Sequence, residues 1–163
     1  MADLKQAVED LGYEDVRTFL QSGNVLFGAS GSADSLASAL EAMLPRHFQL
    51  DSGEIMVLVL NRDHLASIVN QAPGGFGEEP EVYTYGVAFL KGVTGDEVMA
   101  QVRPNPEVDA VWAKPDAFYY RRLTSKLSQS RMSRVISTPV YRYMTIRSWN
   151  TTTKLLALMD ESA

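Results

Sequence analysis

From residue 82 to residue 160 the apolar periodicity runs strand, helix, hairpin, helix, strand, helix; residues 2–70 run through the same order with the first strand left out. This repeat constrains the fold more than any single motif does, because each half must bury the same kind of faces in the same order. In the second half, alternation predicts a strand over 82–90, and helical spacing follows over 95–102 until "RPNPE" breaks it. A hairpin is predicted over 109–113 and 117–121 across "KPD". A helical stretch follows from 125 to about 136, then a strand over 141–147. A closing helix spans 150–160, with Leu155, Leu156 and Met159 on its apolar side.

The first half matches it piece by piece. Leu4, Ala7, Val8 and Leu11 recur at helical spacing over 2–11, and Gly12 is a stop. In "DVRTFLQSGNVLF", Val16, Thr18 and Leu20 alternate with Arg17 and Phe19, "QSGN" turns, and 25–27 return. After the loop "GASGS", Ser32 or Asp34 caps a helix to about residue 44, carrying Leu36, Leu40 and Leu44 on one face, and Pro45 marks its end. "EIMVLVL" over 54–60 is apolar enough for a central strand, 63–70 is a short helix, and "APGGFGEEP" is a loop or linker.

The expected fold is therefore α+β: two tandem ferredoxin-like βαββαβ subdomains, 1–75 and 76–163, the first lacking its opening strand. In that topology the opening strand is central. Without it, two rows of backbone groups would face each other unpaired.

"LGYEDVRTFLQSGNVLF" and "TIRSWNTTTKL", with "SKL" at Ser125–Leu127 between them, resemble the bacterial family called domain of unknown function 1697, over essentially the whole chain. The resemblance implies tandem ferredoxin-like subdomains and no established activity. It also implies a departure. Members open with a strand and an Arg-Gly-Ile-Asn-Val-Gly-type loop before an internal Met, and Met1 stands where that Met would be. The expectation is a truncated or mis-started chain; the alternative is that a partner chain or another element fills the gap.

Charge is segregated. Residues 1–113 hold 6 Lys+Arg against 17 Asp+Glu, and residues 114–163 hold 9 against 3. A basic half points to an anionic partner, or to attraction between the halves. Without cysteine, disulfides, thiolate catalysis and cysteine-ligated metals are excluded. No apolar run approaches the roughly 18 residues of a membrane helix, and "MADLKQAVEDLGY" is not a secretory signal. A cytoplasmic location without membrane association is expected.

Three places are candidates for chemistry. In "TIRSWNTTTKLLALM", Asn150 or Thr151 would cap the last helix, and its free N–H groups, with Arg147 and Lys154, would cradle a phosphate or carboxylate. The plainer alternative is ordinary capping threonines and Trp149 as a core anchor. In "YYRRLTSKLSQSR", Thr124 or Ser125 would cap a helix, and Arg121, Arg122 and Lys126 stand beside Tyr119 and Tyr120. Interleaved basic and aromatic residues suit nucleotides and single strands, whereas a solvated basic face is the alternative. Tyr83, Tyr85, Val87 and Phe89 share one strand face, where core packing is favoured over base stacking, since no RNA-recognition signature accompanies them.

Other classes find no motif. His47 and His64 lack metal-ligand spacing, so no metal or other cofactor is expected. No Walker loop, dinucleotide fingerprint or nucleophile elbow is present, and no catalytic residue stands out. The leading expectation is a binding module for a phosphate-bearing ligand, either a nucleotide or single-stranded nucleic acid. Arg147, Asn150, Thr151, Lys154, Lys126, Arg121, Arg122 and Ser125 would bind it, with Trp149 or Tyr120 as stacking surface. The alternatives are a protein-interaction or self-association module, which would form a homo-oligomer, and, third, an enzyme on a phosphorylated metabolite.

Overall fold

The computed structural model describes residues 1–21, 23–51 and 54–162, which divide into two units, 1–61 and 62–162. In the first unit, α1 (Ala2–Glu9) buries Ala7 and Val8. Gly12, at a φ of +86°, turns the chain into the antiparallel pair β1 (Glu14–Phe19) and β2 (Asn24–Gly28), with Thr18 opposite Val25. Ser32 caps α2 (Ala33–His47), its Oγ accepting the Ser35 N–H at 3.2 Å. Pro45 does not stop α2 as expected. It removes a single ladder donor near the helix end, and the helix continues until Phe48, whose N–H bonds the Leu44 carbonyl.

Ala7, Val8, Val16, Leu40 and Met43 form the core of this unit, and Val25, Phe27, Val57 and Val59 pack against it. The strand expected over 54–60 is not formed. A strand exists only by pairing, and the described residues offer this segment no ladder partner. Its alternating Val57 and Val59 still reach the core. The Val57 N–H donates to the Glu41 carboxylate of α2 at 2.8 Å instead of to a strand.

The second unit opens with α3 (Arg62–Asn70) and contains β3 (Tyr83–Leu90), α4 (Gly95–Gln101), β4 (Asp109–Ala113), β5 (Ala117–Leu123), β6 (Met144–Ser148) and α5 (Trp149–Asp160). Its sheet has the order β4-β5-β3-β6, antiparallel throughout. Thr94 and Glu97 close a capping box on α4. The helix expected from 125 to about 136 is instead two 3₁₀ segments, Thr124–Gln129 and Met132–Ser137. A third, Pro139–Tyr143, delays β6 to Met144, three residues after its expected start. The cause is local. "SKLSQSRMSRVISTP" is rich in side chains that compete for backbone hydrogen bonds, and it buries only Met132 and Val135 before Pro139.

Cross-strand partners show which residues share a face. One face carries Ala88, Leu90, Phe118 and Met144, which pack with Val98 and Val102 of α4 and with Met132, Val135 and Val140. The other carries Tyr85, Val87, Phe89 and Tyr119, all buried. The packing expected for the "VYTYGVAFL" rings occurs for Tyr85 and Phe89, whereas Tyr83 at the strand's start is only half-buried. Phe76, from the glycine-rich segment read as a linker, caps this face, meeting Tyr85, Trp112, Tyr119 and Trp149 edge-on at centroid distances of 4.9, 5.9, 5.7 and 5.0 Å. The Tyr119 hydroxyl donates to the Ile68 carbonyl of α3.

Burial, with the nearby Asp116 charge, pushes the Tyr119 phenol well above its usual range; burial also raises Tyr120, against the opposing pull of Arg122. A raised phenol binds its proton more tightly folded than unfolded, so the unfolded state holds fewer protons once pH passes about 10. Stability is accordingly full below that pH and falls as pH climbs through the alkaline range. Urea midpoints from pH 8 to 11 should decline, and the Tyr119→Phe variant should decline less steeply from a lower starting value.

Candidate anion-binding cleft

The two arginines adjacent in sequence are parted by the pleat. Arg121 pairs with Tyr85 and Arg122 with Thr84, so they leave opposite faces of β5. Arg122 donates from Nε to the Thr84 hydroxyl at 3.3 Å and lies 5.7 Å from the Tyr120 ring centroid. That ring lies across Gly86, where a Cβ would overlap it, so Tyr120 is a packing group of that face. Arg121 sits on the opposite face, its guanidinium 4.1 Å from the centroid of Tyr83 and 5.8 Å from that of Trp112. Its side chain makes no hydrogen bond or ion pair among the described residues.

Arg121 and Tyr83 form one wall of a cleft of about 130 Å³, completed by Pro106, Glu107, Asp109 and Leu123. Asp109 borders the cleft, but its side chain shares the Arg122 face and is buried there, away from Arg121. Its Oδ2 accepts the N–H groups of Asn105 at 2.8 Å and Arg131 at 2.9 Å, while Oδ1 is buried without a partner among the described residues. Asp109 does not stand out as a site residue in sequence, and Tyr83 figures there only among the strand-face rings for which core packing is favoured. The hint was "RPNPEVD", where an Asx-type loop enters a strand.

The strand-to-helix joint is organised around Ser148, not Asn150 or Thr151 as expected. Ser148 is the N-cap of α5 and accepts the Thr151 N–H at 3.1 Å. Thr152 is buried and its hydroxyl donates back to the Ser148 carbonyl, while Thr153 reaches the Trp149 carbonyl. Asn150 and Lys154 are exposed and Thr151 is half-buried. Arg147 is half-buried opposite Val87, its Nη1 donating to the Thr145 hydroxyl and the Ile146 carbonyl, both at 2.8 Å. Desolvation pulls its pKa below the usual arginine value, against Tyr141. The Trp149 ring packs edge-on to Phe76 and covers Gly77. Ser125 and Lys126 are exposed on the first 3₁₀ segment; Leu123 precedes it without a side-chain cap, so neither Thr124 nor Ser125 caps a helix there.

β5 and β6 both run antiparallel to β3, so their C-terminal ends, which lead to Lys126 and to α5, lie toward the same end of the sheet. Arg121 and Arg147 share a face, one on each side of β3, whereas Arg122 and Tyr120 do not belong to it.

Residues 1–119 match the family described as Protein of unknown function (DUF1697). The chain belongs to that family. The conserved bacterial protein SP0830 from Streptococcus pneumoniae is similar in structure to this DUF1697 chain, with a TM-score of 0.76 at 21% identity, over 98% of this chain and 88% of that one. That likeness is one of fold. No curated protein matches. No helix among the described residues is long and apolar enough to cross a membrane.

Proposed function

We propose that this DUF1697 chain is a binding module for a small phosphate-bearing ligand, held by Arg121 in the cleft beside Tyr83. One observation carries the reading. Arg121 is half-buried, braced against an aromatic ring, and has no carboxylate or hydrogen bond engaging its five donors among the described residues. A guanidinium held by stacking keeps its fork free for bidentate phosphate contacts at little further entropic cost. A cleft of about 130 Å³ admits a phosphoryl group with part of what it is attached to. Glu107 in the same wall disfavours a highly charged polyanion, which makes a mononucleotide or sugar phosphate a better fit than a nucleic-acid strand. The basic balance of residues 114–163 supports an anionic ligand on this unit. The strand order β4-β5-β3-β6, with the opening strand third, supports the ferredoxin-like reading of this unit. The first unit would be its tandem copy.

A thermal-shift panel of phosphate, sulfate, nucleoside monophosphates, sugar phosphates and short single-stranded RNA tests the reading. A ligand at a hundredfold excess over Kd stabilises the folded state by about 2.7 kcal/mol. The expected result is a shift with a small phosphate ester that disappears in Arg121→Ala and survives in Lys154→Ala and Lys126→Ala. Loss in Lys154→Ala with retention in Arg121→Ala would move the site to α5, and no shift with any member would remove the reading.

A further inference from the structure

We propose that the Arg121 cleft takes a zwitterionic ligand, a small phosphate monoester that also carries a protonated amine, with Glu107 holding the amine. The inference rests on the reading of that cleft as a phosphate site and adds a second charge to its ligand. Arg121 and Glu107 line the same cleft of about 130 Å³. Neither side chain makes a hydrogen bond or ion pair, with the other or with anything else, among the described residues. Ala110 pairs with Arg121, and Glu107 stands three residues before Ala110, at most roughly 11 Å away along the chain. A phosphate dianion alone would meet attraction at Arg121 and repulsion at Glu107. A protonated amine on the same ligand turns the repulsion into attraction, so that both charges of the cleft are matched.

Glu107 stands on a braced turn. Asn105 Oδ1 accepts the Glu107 N–H at 3.2 Å. Asn105 is itself anchored, its N–H donating to Asp109 Oδ2 at 2.8 Å and its Nδ2 to the Gln129 carbonyl at 3.0 Å. Such bracing limits the ordering that binding requires. The same cleft argues against an aromatic base. The Arg121 guanidinium lies over the Tyr83 ring at 4.1 Å and covers that face, while the Trp112 ring is engaged edge-on with Phe76. Val108, Ala110 and Leu123 add aliphatic lining, which suits a short carbon spacer between the two charged ends. The ligand class is thus an aminoalkyl or amino-sugar phosphate.

Titration calorimetry at constant ionic strength tests this with 2-aminoethyl phosphate, its amine-free match ethyl phosphate, and adenosine monophosphate. The aminoethyl ester should bind about fivefold more tightly than the ethyl ester, the upper range for a solvent-exposed ion pair. Glu107→Gln should remove that preference and leave ethyl phosphate bound at least as well. Glu161→Gln, exposed beyond the end of α5, should keep it. Arg121→Ala should abolish binding of both esters. Equal binding of the two esters, or a preference that survives Glu107→Gln, would overturn the inference while the phosphate site stands. Adenosine monophosphate bound more tightly than the aminoethyl ester would overturn it too, because a base would then outweigh the amine. Failure of all three ligands to bind, or undiminished binding to Arg121→Ala, would remove the phosphate site itself and the inference with it.

Discussion

Phe76→Ala should cost about 3–5 kcal/mol of stability, the usual range for deleting a buried aromatic side chain. The side chain is 9% exposed and lies edge-on to four other rings, and such pairs add roughly 0.5–1.5 kcal/mol beyond area burial. The reporter is built in. Trp112 and Trp149, the only two tryptophans in the sequence, both touch this ring. Their fluorescence should shift in the native baseline of Phe76→Ala, and the urea midpoint should fall with little change in slope. Phe76→Leu should lose about half as much, since apolar volume is partly kept. A loss below about 1 kcal/mol would mean that the glycine-rich segment is a loosely attached strap and not part of the core.

That result would also show where sequence reading meets its limit. A lone Phe between glycines has no periodicity, so "APGGFGEEP" reads as a loop or linker, with no sign that it closes one face of a sheet. Where partners lie within a short stretch, local pattern sufficed: of the two cap candidates Ser32 and Asp34, Ser32 is the N-cap of α2. Where structure depends on distant partners, it did not. Residues 54–60 have the composition of a central strand, but no amount of β-propensity makes a strand without a ladder. The candidate site follows the same division. Arg121 and Arg122 look like one patch only while β5 is taken to end at 121. Extended to Leu123, it sends them to opposite faces. That no carboxylate engages Arg121 among the described residues depends on what two other strands place beside it, and nothing in the sequence near residue 121 encodes that.

Gly77→Ala should be nearly as damaging as Phe76→Ala, for two separable reasons. Gly77 has a φ of +87°, where a side chain costs about 1–2 kcal/mol. Its missing Cβ also lies where the Trp149 ring sits, and overpacking of that kind typically adds about 1–3 kcal/mol. A double-mutant cycle with Trp149→Leu separates them. The smaller side chain relieves the overlap but leaves the backbone strain, so Gly77→Ala should cost only about 1–2 kcal/mol in that background. The coupling also bears on what Trp149 is for. A ring that must stay on Gly77 and Phe76 to hold the sheet face is committed to packing, and its indole cannot turn to stack on a bound base. If the two changes prove additive within about 0.5 kcal/mol, Trp149 is free to move, and the joint before α5 regains its claim as a ligand surface.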